Sequence, residues 1–151
     1  MMNKNAMDVK LVERVCRGDR EAMDFLANFW SRYCHGIDDI IDREPVAQNP
    51  EFVLEVFARA IELYSHPFYL KHLAALKQVA LNVTAMYADT VAWEKAADWR
   101  AAWADLHRHC SIEMVVAVAT ACGGYAHARA VIPEVRMVAY AEHHDREGKG
   151  K

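Results

Sequence analysis

Glycine and proline are scarce, at six and four in 151 residues. Turns are therefore few, and a loop-rich β sandwich is excluded. Cysteine is limited to Cys16, Cys34, Cys110 and Cys122. None forms a C-x-x-C pair or zinc-ribbon spacing, so neither a disulfide framework nor a cysteine zinc site is expected. No charge of one sign dominates: 18 basic against 21 acidic residues leave a formal net charge of −3. That gives no basic footprint, and no nucleic-acid partner is expected. The longest run without a charge, Met114 to Ala128, is too short to cross a bilayer. The first ten residues are polar and have no apolar core of a secretory signal. These absences together predict a cytoplasmic protein with reduced thiols and no membrane partner.

What remains is apolar and helix-forming. Hydrophobic residues make up 54% of the chain and charged residues 26%, with alanine the dominant type. No stretch alternates with period two long enough for a convincing strand. The pattern predicts one all-α domain over 1–151, a compact bundle of about five to seven helices, with a frayed tail at 145–151. Breaks are expected near Gly18, Pro45–Pro50, Ser65–Pro67 and Gly123–Gly124. Asp19 is a good N-cap for a long second helix reaching about Arg43. On that helix Met23, Leu26, Trp30, Ile37 and Ile41 share one stripe and are expected to be buried together. Further helices are expected from Asn49, from Pro67 to about Ala97, from Trp99 to Cys122, and from Pro133 onward.

The sharpest local signal is His35-Gly36-Ile37-Asp38-Asp39-Ile40-Ile41-Asp42. On a helix His35, Asp38, Asp39 and Asp42 fall on one arc, opposite the apolar stripe. Carboxylates one turn apart suit Mg²⁺ or Mn²⁺, which take a few oxygen ligands and leave room for a substrate phosphate. Asp89, with Asn82 seven residues before it, is the candidate ligand from another helix. The string Asp38-Asp39-x-x-Asp42 resembles the aspartate-rich helix of isoprenoid and terpenoid synthases, over five residues. That resemblance implies metal chemistry on a diphosphate. No second aspartate-rich motif and no paired arginines follow. The E-E-x-x-E pattern of all-helical pyrophosphohydrolases is absent too. A plain solvent-facing helix surface accounts for the same pattern. Against it stands the lack of any lysine or arginine in the middle of the arc, since wet faces usually mix signs.

No phosphate-binding glycine loop, nucleophile elbow or H-E-x-x-H occurs among these residues. Cys110, beside His107, Arg108 and His109, is the thiol that loosely fits the electropositive, partly exposed surroundings of a nucleophile. At helical spacing Trp30, Trp93, Trp99 and Trp103 are expected to be core residues, and the alanine-rich stretch from Trp93 to Trp103 is also the candidate self-association surface. Two functions follow as expectations. The first is a non-catalytic helical module that binds a protein partner or another copy of itself. The alternative is a Mg²⁺- or Mn²⁺-dependent enzyme acting on a phosphate or diphosphate. In it Asp38, Asp39, Asp42, His35 and Asp89 hold the metal.

Overall fold

A computed structural model describes residues 8–148, with side chains through residue 141. The domain is all-α, and the described residues contain no strand. The helices are α1 (Val9–Val15), α2 (Arg20–Asp24), α3 (Ser31–Ile41), α4 (Pro50–Ser65), α5 (Pro67–Lys71), α6 (Leu73–Trp93), α7 (Trp99–His107) and α8 (Ile112–Gly148). A π-helical segment, Phe25–Trp30, joins α2 to α3, and a 3₁₀ turn, Pro45–Gln48, precedes α4.

Helix starts follow the capping chemistry. Asp19 accepts hydrogen bonds from the backbone N–H groups of Glu21 and Ala22 at 2.9 and 3.0 Å, and Asn49 accepts from that of Glu51 at 3.0 Å. At the third start the cap is His66. Its Nδ1 accepts the Phe68 N–H at 3.2 Å, while Ser65 Oγ donates back to the Ile61 carbonyl. Left-handed backbone at Arg17, Gly18 and Arg43 ends α1 and α3.

The long helix expected from Asp19 is a continuous helical run, but with a change of register. In the π segment hydrogen bonds close over one more residue than in an α-helix. One inserted residue turns everything after it by about 100°. Phe25, Leu26 and Trp30 are buried as expected, and Met23 is half-buried. Beyond the π segment the expected stripe leaves the core. Ile37 is half-buried and Ile41 is 42% exposed.

Two other boundaries differ. The stretch expected from Trp99 to Cys122 breaks at residues 108–111, between α7 and α8. No glycine or proline marks that turn. The last helix does not start at Pro133, which lies inside α8. The real reversal is at Gly124, with φ +76° and ψ −178°. Arg136 reaches Glu113 at 3.0 Å, although a straight helix would hold residues 23 apart at about 35 Å. Residues 112–123 and 125–148 are therefore two antiparallel arms. By length and composition Ile112–Ala141 qualifies as a membrane-crossing stretch, yet it folds back on itself at Gly124. The tail expected to fray is helical as far as Gly148, and residues 149–151 lie outside the described residues.

The core joins α1, the Ala22–Trp30 region and α6 to the α8 arms through Val15, Phe25, Leu26, Phe68, Leu76 and Met114. Gly36 lets α4 close on α3, where a Cβ would meet Val56 Cγ2 at 2.7 Å. These contacts fix α3 opposite α6 and the 108–111 turn, which is where the cavity lies.

Candidate functional site

A cavity of about 210 Å³ lies between α3, α6 and the 108–111 turn. Trp30, Tyr33, Cys34 and Val83 are among its apolar and aromatic walls. The Trp30 indole N–H donates to the Ser111 carbonyl at 3.1 Å, tying the π segment to the turn. Rotation by the π segment leaves Asp38 facing this cavity, not open water. The Tyr87 hydroxyl of α6 donates to Asp38 Oδ1 at 2.5 Å. Burial raises the Tyr87 pKa, and the bond to Asp38 and the nearby Asp42 charge raise it further. Tyr87 thus remains a protonated donor at neutral pH.

Arg108 stands beside this pair. Its guanidinium lies 3.5 Å from Asp42 and 3.9 Å from Glu94. His35 also lines the cavity, with Nδ1 3.4 Å from Ser31 Oγ. The two thiols of the cavity wall are not activated. Burial pushes Cys110 up to about 11 and raises Cys34 too. Cys110 is buried and its Sγ points at the Val83 carbonyl, 3.6 Å away. The exposed, electropositive surroundings that a nucleophilic cysteine requires are missing there.

The five residues expected to hold a metal are only partly brought together. Asp38 and His35 line the cavity. Asp42 is on its flank, taken up by Arg108. Asp39 is half-buried on the same helix without lining the cavity, and Asp89 is exposed on α6 away from its lining. Among the described residues no three His, Cys, Asp or Glu side chains gather closely enough to hold a metal ion. The donor set as arranged does not fit a bound Mg²⁺ or Mn²⁺. Sequence reasoning missed Tyr87 and Arg108. Tyr87 carries the periodicity of a core residue, and Arg108 lies on a turn that only tertiary packing creates.

Two apolar surfaces face solvent. On α4, Leu54, Phe57 and Ile61 are 67%, 66% and 70% exposed and spaced i, i+3, i+7. On α7, Trp99, Trp103 and Leu106 are also exposed, and Trp93 meets Trp99 edge-on with centroids 6.3 Å apart. The alanine-rich tryptophan stretch is thus a surface, not a core element.

No known family model, curated protein or solved structure matches this chain.

Proposed function

We propose that the protein is a non-catalytic helical module that pairs with a second copy of itself through its apolar faces. The observation that carries this reading is the Leu54–Phe57–Ile61 stripe on α4. Solvent-exposed apolar residues scattered singly need no explanation, but three large ones in helical register form a patch. The stripe has no charge at its centre, so it is complementary to itself about a two-fold axis. Pairing would remove six large side chains from water. At about 1.5–3 kcal/mol each for full burial, their two-thirds exposure gives roughly 6–12 kcal/mol. Losing translational and rotational freedom costs about 4–15 kcal/mol. The expected association is therefore weak and concentration-dependent, with the α7 tryptophan face as a second contributing surface.

Light scattering coupled to size exclusion tests this over a concentration series. The expected result is a monomer–dimer equilibrium that Phe57→Glu shifts to monomer with helicity unchanged. A monomer at every concentration, or a dimer indifferent to both Phe57→Glu and Trp103→Glu, would overturn self-association.

The alternative, a Mg²⁺- or Mn²⁺-dependent enzyme acting on a phosphate or diphosphate, has one observation in its favour. Asp38 faces a cleft lined by polar groups of other elements, Tyr87 and Arg108. Asp39 and Asp89 count against it because they lie outside that cleft.

A further inference from the structure

We infer that the cavity between α3, α6 and the 108–111 turn binds a neutral aromatic molecule of the size of a substituted benzene. This inference is independent of self-association. Size sets the first limit. A cavity of about 150 Å³ holds a benzene ring, so about 210 Å³ accommodates a ring with a short substituent. The walls set the second. Trp30, Tyr33 and Tyr87 present aromatic surface, and Ile37 and Val83 add aliphatic surface. The Trp30 and Tyr33 ring centroids lie 6.3 Å apart with the planes tilted by 43°, an aromatic corner against which a flat guest packs offset or edge-on. Trp30 is held in place by its bond to the Ser111 carbonyl, so the wall is formed before a guest arrives.

The polar groups of the wall decide against a charged guest, because they are turned to partners inside the protein. The Trp30 N–H is on Ser111, Thr84 Oγ1 donates to the Ala80 carbonyl at 2.8 Å, the Cys110 thiol points at the Val83 carbonyl, and Tyr87 donates to Asp38. Arg108 stands beside Asp42 and Glu94. His35, Asp38 and His109 each have a further interaction within the protein. An ion entering the cavity gives up its water and must displace one of these partners, and apolar walls do not return that loss. A neutral ring needs no net field from any of them. It gains from removing its own apolar surface and that of the wall from water.

Calorimetric titration with three one-ring probes tests the assignment: toluene, benzylamine and benzoate. Toluene is expected to bind saturably, one per chain, with benzylamine and benzoate both weaker by about tenfold or more. Val83 is 7% exposed and lines the cavity from α6. Val83→Phe puts a ring into that space and should abolish toluene binding. Should Val83→Phe fail to fold by circular dichroism, Val83→Ala decides. It widens the cavity, and should tighten binding of the two-ring probe indole relative to toluene. Benzylamine or benzoate binding as tightly as toluene would overturn the assignment. So would toluene binding that survives Val83→Phe, an indole-to-toluene ratio unmoved by Val83→Ala, or no toluene binding up to its solubility limit.

Discussion

The Asp38–Tyr87 pair shows what one contact changes. If the acidic arc were a crowded wet face, replacing a carboxylate would relieve repulsion. In the fold Asp38 accepts from Tyr87 at 2.5 Å and Asp42 is near Arg108. Asp38→Asn is therefore expected to lower stability, by about 1 kcal/mol, the difference between a charged and a neutral acceptor. A denaturant titration checks the sign: a gain would mean that repulsion outweighs the Tyr87 bond. Trp30 is 4% exposed, and its loss in Trp30→Ala should cost about 3–5 kcal/mol. Asp24 gives the pH dependence. Hydrogen bonds from Asn28 and then His66 hold its carboxyl below the ordinary value of 3.8. Because the folded pKa is the lower one, this stabilisation is present above the unfolded value and fades as pH falls through the folded one. The stability gap between the protein and Asp24→Asn should be constant near neutral pH and shrink below about pH 4. A gap that stays level from neutral pH into strong acid would show that Asp24 contributes nothing through its charge.

At the scale of elements, three short features set the geometry. The π segment aims α3, Gly36 seats α4 on it, and Gly124 folds α8 into two arms. Gly36→Ala places a methyl 2.7 Å from Val56 Cγ2 and should cost about 1–3 kcal/mol by overpacking. Val56→Ala in the same chain should recover part of that loss, so a double-mutant cycle with no coupling would rule out the contact as the cause. Gly124 has φ +76° and ψ −178°, a region that is essentially glycine-only. Nothing stands within 4 Å of a Cβ built there. The cost of Gly124→Ala is thus conformational, about 1–3 kcal/mol. Thermal unfolding of Gly124→Ala alongside Gly18→Ala, another open positive-φ site, measures it; no change at Gly124 would mean the arms close without that conformation.

For the whole molecule, the two functional readings differ in their response to divalent ions. A melt in Mg²⁺ or Mn²⁺ against NaCl of equal ionic strength separates a bound ion from screening, since only a ligand of the folded state raises the midpoint specifically. With Asp42 near Arg108 and Asp89 outside the cavity lining, equal midpoints are expected. A rise of several degrees in the divalent salt alone would bring the metal-dependent enzyme forward.

The all-α class, the caps at Asp19 and Asn49 and the breaks near Gly18, Pro45–Pro50 and Gly123–Gly124 were legible in the chain. Each is settled by local chemistry, namely a side chain that accepts a backbone N–H, a proline without one, or a glycine free to take positive φ. Part of the candidate site was legible too, since His35 and Asp38 stand out as polar residues on one arc. Which way that arc points was decided only in three dimensions. Periodicity counts residues at a constant 100° and carries no mark of the inserted π residue, so Ile41 reads as core and Asp38 as surface. The 108–111 turn has no breaker, and it forms where α7 and α8 both pack on α6. The exposure of Leu54, Phe57, Ile61 and Trp99 was equally beyond reach. An amphipathic pattern records that a face is apolar, whereas the partner that covers it belongs to tertiary or quaternary structure.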